Sequence, residues 1–296
     1  MTAITRAEST STPPAGVQVA KVDYSDHSSL VKALTGQEVL IITMGVTAPP
    51  DQQGKLIAAA TEAKVSWILP NEWGFDNKNE QLVIDIMGAN HYGQIHQQIE
   101  QSGSSSWIGI ACGFWYEFSV KNGPECYGFD LKDHKAIFID NGDTKINTST
   151  WPQCGRAVAN LLSLKVLPDD ESDKSAHLSQ FKNEAVYISS FLLSQKEMLA
   201  SIQRVTNTTD KDWTIEHQDH KERYESGQKI MKEGNRLGFA RLMYTRMFYP
   251  NGDGNYEANR TLANGALVLP KEDLDEATKK AVELYEKEGG YSYAKN

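Results

Sequence analysis

Between Gly16 and Cys112 the sequence alternates short, β-branched apolar runs with segments of helical period, and no other feature restricts the possible folds as much. VQVAKVDY, with Val17, Val19 and Val22 apolar, precedes a helix that Ser25 or Asp26 caps, that carries Leu30, Val31 and Leu34, and that Gly36 ends. Val39–Thr43 is the next strand. The next helix runs over Asp51–Lys64, with Leu56, Ile57, Ala60 and Ala63 on its apolar face. VSWILPNEWGF then reads as a buried strand that breaks at Pro70 into a polar turn. A helix over Asp85–Gln101, with Ile86, Tyr92, Ile95 and Ile99 near one face, and a strand over Trp107–Cys112 complete the series. Such alternation implies an α/β fold: a doubly wound parallel sheet with helices on both faces. Ligands of such sheets bind beyond the carboxyl ends of the strands, which directs attention to Asn71, Glu72 and Trp73.

The second half follows a different pattern. KAIFI and TKINTS flank Asp140-Asn141-Gly142-Asp143, a strong hairpin signal, and a helix over Pro152–Leu164 follows. Charged, Ser-rich Pro168–Lys182 reads as an exposed crossing. Val186–Phe191 is one more strand, which returns to the sheet. Ser194 with Glu197 forms a capping box, and helices over Lys221–Lys232, Leu237–Met247 and Leu274–Lys287 make the C-terminal part mostly helical. The expected division is a nucleotide-binding domain over residues 1–165 and a smaller substrate lobe over 166–296.

Charge and cysteine usage narrow the partners. A net charge of -9 gives no general attraction to nucleic acid or to an anionic membrane. Cys112, Cys126 and Cys154 form no paired spacing, which fits a reducing, cytoplasmic compartment. No run is long enough for a membrane span, and MTAITRAESTSTPP has the character of neither a secretory nor a transit signal. His217 and His220 in EHQDH have ligand-like spacing but no third partner nearby in sequence, so no metal site is expected.

The segments ITR, VDYSDHSSLVKALTG, VLIITMG and LPNEWG, with TSTWPQCGRAVANLL and VYISSFLLSQKEML further on, occur in an order that resembles the NmrA-like and isoflavone-reductase-like family, most closely its fungal members. The resemblance implies a Rossmann-like domain that binds NADP, or NAD, and a smaller substrate lobe. It implies either of two activities. One is reduction of a small, aromatic or unsaturated metabolite. The other is that of an NmrA-type sensor, in which dinucleotide occupancy changes affinity for a protein partner.

The family's domain opens with a strand and a Gly-rich turn that holds the pyrophosphate, and no GxxGxxG or GxGxxG lies between Met1 and Gly16. Met1 therefore reads as falling within the second strand of the fold, with the first strand and its turn absent. The missing strand would lie between the one ending at Arg6 and Val39–Thr43, leaving both without a ladder partner. The expectation is weak or no NADP binding and a tendency to aggregate.

By resemblance, Thr5 and Arg6 stand where a basic side chain meets the 2′-phosphate of NADP. Asp23 and Tyr24 border the adenine, although a strand-end Asp serves equally well as a turn and cap residue. Met44, Gly45 and Val46 line the dinucleotide path, and Pro70, Asn71 and Glu72 lie near the nicotinamide, with Asn71 where the family usually has Ser. Trp73, Gly74 and Phe75, with Gly113, Phe114 and Trp115, would wall the substrate pocket; the same aromatics suit a core. The family's proposed acid–base Lys is missing, since no Lys lies between Lys78 and Lys121. Tyr92 falls at its position, and His96, one helical turn later, would hydrogen-bond with it or polarise it. Tyr92 reads otherwise as a half-buried core tyrosine.

Overall fold

The computed structural model describes residues 1–45 and 48–290. In chain order the strands and helices begin with β1 (Thr2–Arg6), β2 (Gln18–Val22), α1 (His27–Leu34), β3 (Val39–Ile41), α2 (Gln52–Glu62), β4 (Trp67–Leu69), α3 (Glu80–Met87), α4 (His91–Gln101) and β5 (Ser106–Ala111). There follow β6 (Phe114–Trp115), α5 (Tyr116–Lys121), β7 (Phe129–Asp130), β8 (Lys135–Ile139), β9 (Ile146–Ser149) and α6 (Trp151–Leu162). The chain continues through β10 (Glu184–Tyr187), β11 (Phe191–Leu193), α7 (Gln195–Thr206), β12 (Thr214–Gln218), α8 (His220–Lys232), α9 (Leu237–Met247) and α10 (Leu274–Glu288). These fall into two compact units. The first comprises Met1–Glu72, His91–Gly109 and Phe181–Ala185, and the second Trp73–Asn90, Ile110–Gln180 and the described residues from Val186 on.

Every pairing among β1 to β5 is parallel, whereas the second unit mixes parallel pairs (β8 with β12, β6 with β9) with antiparallel ones (β7 with β8, β9 with β11). β1 pairs with β2, and β3 with β4, which pairs in turn with β5, all in parallel. The four-stranded order is β10-β5-β4-β3, while β1 and β2 form a sheet of their own. The core of this unit includes Leu30, Leu34, Leu40, Ile57 and Ile68, with Ile4 and Tyr24 partly buried against it. Each fully buried aliphatic side chain there contributes about 2 kcal/mol. Of the two candidate caps of α1 it is Asp26 that acts, accepting the Ser28 N–H at 3.0 Å.

Three sequence expectations fail, the first being the single strand over Val186–Phe191, which is two, β10 and β11, in separate sheets. The single helix over Asp85–Gln101 is two, because Gly88 takes a left-handed conformation (φ 77°) as the C-cap of α3. The hairpin around Asn141-Gly142 does not form. Asp140 and Gly142 do turn the chain with positive φ, but β8 pairs with β7 and β12 while β9 pairs with β6 and β11. β8 takes its antiparallel partner from the strand just before it, across residues 131–134, while its other partner β12 and the partners of β9 are distant in sequence. The capping box at Ser194 is present, with the Glu197 carboxylate accepting the Ser194 N–H at 2.8 Å. Among the described residues, no helix is long and apolar enough to cross a membrane.

Candidate active and cofactor site

In the first unit the selected residues sit at or just past strand ends. Arg6 closes β1 and is exposed, its guanidinium 3.5 Å from the equally exposed Glu8. Thr5 beside it has a buried hydroxyl with no hydrogen-bond partner. Tyr24 follows β2. Burial pushes its hydroxyl pKa up, while the nearby Arg6 charge and a hydrogen bond with Gln52 pull it back. Asp23 serves as a turn residue, its Oδ1 accepting the Ser25 N–H at 2.8 Å and hydroxyl at 2.6 Å, which hold the carboxyl below its usual range. Gly45 is exposed, and a Cβ built there meets no atom within 4 Å. Val46 lies outside the described residues.

The turn after β4 is fastened by its own side chains. Asn71 Oδ1 accepts the Met44 N–H at 3.0 Å and its Nδ2 donates to the Met44 carbonyl at 3.2 Å, while Gln53 Oε1 accepts the Asn71 N–H at 2.7 Å. Asn71 therefore clamps the ends of β3 and β4 together, a role that Ser is too short to fill. Pro70 is buried behind it.

Glu72 is 1% exposed, and its carboxylate lies 2.9 Å from His96 Nε2. An ionised carboxylate only accepts, so Nε2 carries the proton and Nδ1 is the nitrogen left for proton exchange. The His96 ring stacks on Trp107, with centroids 3.5 Å apart and planes 1° from parallel. The indole in turn donates from Nε1 to Glu100 at 2.8 Å. Glu72 after β4 and Trp107 of β5, itself held by Glu100 of α4, thus fix one imidazole. Tyr92 is half-buried on α4, four residues before His96 and on the same face.

The remaining candidates belong to the second unit. The Gly74 carbonyl accepts the N–H groups of Cys112 and Gly113 at 3.0 and 2.9 Å, so the turn 73–75 is stitched to the end of β5. Phe75 is buried, and Phe114 is buried with its ring centroid 4.2 Å from that of Tyr244. The more open rings are Trp73 and Trp115, the latter clustered with Phe118 and Trp151. Gly113 has φ 65°, and a Cβ there would stand 2.1 Å from the Asn147 carbonyl oxygen, so close packing requires glycine.

His217 and His220 take separate roles: the His217 ring bonds to the Asp140 carbonyl at 2.7 Å, and His220 Nδ1 to the Asp140 carboxylate. Asp140, Asp219 and His220 bring possible ligand atoms within 4.8 Å of one another, but Asp219 caps α8. Sequence reading missed Gln53, Trp107 and Asp140. Each acts on a residue of another element, and only Gln53, at the head of a helix that follows a strand, had a positional cue.

For a nicotinamide dinucleotide the first unit fits at two points. The orphaned Thr5 hydroxyl, Arg6 and Tyr24 offer donors and a cation to an adenosine phosphate end, and the Glu72–His96 pair offers a proton site. The chain supplies no Gly-rich turn to cradle the pyrophosphate.

Residues 2–136 match the NmrA-like family. Oxidoreductase aprR of Aspergillus flavus is 27% identical over 282 residues, spanning 93% of this chain and 88% of that protein. The crystal structure of an isoflavone reductase superposes with TM-score 0.70 at 20% identity, covering 94% of this chain and 90% of the other. A leucoanthocyanidin reductase–NADPH complex from Vitis vinifera gives TM-score 0.69 at 13% identity, covering 90% and 86%. The parallel strands, the ordered motifs and these matches agree: over residues 2–136 the chain is similar to the NmrA-like family, and its fold is that of the isoflavone-reductase structures.

Proposed function

We propose that this protein is an NADP-dependent reductase of a small aromatic or unsaturated metabolite, in which His96, oriented by Glu72, exchanges the proton that the family assigns to lysine. The observation that carries this reading is the buried Glu72 carboxylate 2.9 Å from His96 Nε2, with the ring laid flat on Trp107. A bound nicotinamide supplies the hydride. The chain's own part is to hold the dinucleotide with Thr5, Arg6, Tyr24 and the Asn71-clamped turn, and to present His96 Nδ1 for proton transfer, with Tyr92 as a second hydroxyl on the same helix face. Trp73 and Trp115 give the second unit aromatic surface suited to a planar substrate. NAD remains the alternative dinucleotide. Support comes from a relative named as an oxidoreductase and from a fold neighbour solved with NADPH.

One observation favours a second reading, a dinucleotide-sensing regulator that binds a protein partner: no Lys lies between Lys78 and Lys121. NADPH consumption over a panel of aromatic ketones and enoyl compounds separates the two. The reductase reading expects turnover that falls about 100-fold or more in His96→Ala and less in Tyr92→Phe. Undiminished turnover in His96→Ala removes the proposed role. Tight NADPH binding with no turnover of any compound favours the sensor.

A further inference from the structure

The second unit contains a cavity of about 210 Å³ between the head of α3 and the segment 252–260. That is below the roughly 300–1,000 Å³ of pockets for drug-sized ligands, so an occupant must be small. Two carboxylates line it, Asp76 and Asp253, and both already hold a cation. Asp76 Oδ2 accepts from Arg260 Nε at 3.0 Å, and Asp253 Oδ2 from Arg246 Nη2 at 2.5 Å. A metal ion would have to displace a guanidinium, and an anion would face two carboxylates.

What the wall still offers is acceptors beside the Asn255 and Asn259 amides, whose Nδ2 groups donate. A carboxylate has about four lone-pair sites. Asp76 uses one for Arg260 and two for the Tyr187 hydroxyl (2.7 Å) and the Lys78 N–H (3.0 Å). Asp253 uses two on Oδ2, for Arg246 and Asn251, and one on Oδ1 for Asn79 Nδ2 at 3.0 Å. Asn255 Oδ1, on the same wall, is buried with no partner, and an acceptor left unmet in this way is costly. The Tyr256 hydroxyl cannot satisfy it, being donated to the Ile188 carbonyl at 2.5 Å.

From this arrangement we infer that the cavity binds a small, uncharged, hydroxyl-rich molecule, a polyol or a monosaccharide, whose hydroxyls donate to Asn255 Oδ1 and to the open positions of Asp76 and Asp253. Both lining carboxylates are already held by guanidinium groups, Arg246 also binding Asp85 at 2.7 Å, and a wall that mixes acceptors with amide donors suits hydroxyls, which do both. The site goes beyond the reductase reading and uses none of its residues.

Calorimetric titration of the full chain with glycerol, myo-inositol, D-xylose and D-glucose tests it, with citrate and magnesium chloride as charged probes and no dinucleotide present. The expected result is saturable binding of at least one of the neutral compounds, weakened about tenfold or more in Asn255→Leu. If that variant fails to fold, Asn259→Leu, exposed at the cavity rim, is expected to show the same direction of change. No saturable binding of any of the four, binding unchanged in the folded variants, or preferential binding of citrate or magnesium overturns the proposal. With no nicotinamide in the cell, none of these outcomes bears on the reductase reading.

Discussion

Glu72 shows what burial demands of one residue. Its side chain is fully enclosed and His96 is the ion-pair partner that meets it. His96→Leu removes that partner and should lower stability by about 1–3 kcal/mol, whereas replacing both residues by Leu should recover most of the loss. Thermal melts of the single and double variants check this, and a single variant as stable as the parent would contradict the pairing. Glu117 makes a different case. Burial raises its carboxyl pKa, opposed by the N–H of Trp151, which it accepts at 3.1 Å. A carboxyl raised in the folded state favours folding most at acid pH and loses that contribution as pH rises through the folded value. Glu117→Gln keeps the acceptor and removes the charge, so it should melt on the order of 2 °C higher than the parent at pH 8 and converge with it in acid. A constant difference across pH would exclude the cause given. Tyr92 and His96 were legible because their spacing on one helix face is written in the sequence. The Trp107 stack was not, because it joins residues on separate elements.

At the level of elements, α8 and α9 cross through two glycines. A Cβ at Gly238 would stand 2.3 Å from the Met231 nitrogen and 2.5 Å from the Gly227 carbonyl oxygen. Both obstacles are backbone, so Gly238→Ala must push the helices apart, at a cost of about 3 kcal/mol. Urea unfolding measures it, and a midpoint like the parent's would show that the crossing tolerates a methyl group. Helix boundaries were read well where side chains cap them, as at Asp26 and Ser194. They were misread at Gly88, where apolar spacing carries on through a glycine that reverses the backbone. Strand positions were legible from their apolar runs, but the pairing of β8 with β12 and of β9 with β6 and β11 was not, since it joins segments that local turn signals cannot connect.

For the whole molecule, the separation of β1–β2 from β3–β4–β5 sets the order in which it opens. A two-stranded sheet is marginal by itself, and among the described residues the ladder of β1 is with β2 alone. Amide hydrogens of Ala20 and Val22 should therefore exchange well before those of Ile68 and Trp107, which lie in the larger sheet. Equal protection would mean that the small sheet opens only with the rest. The sequence by itself determined the α/β class, the parallel strands, the likeness of residues 2–136 to the NmrA-like family and the turn after β4. Periodicity, caps and ordered motifs are local properties, and each is complete within some twenty residues of chain. Only the tertiary structure decided that Asn71 is a clamp, that Glu72 and not Tyr92 holds His96, and that Asp76 and Asp253 share one cavity wall. Those outcomes depend on which side chains meet across elements far apart in the chain, and no local pattern encodes that.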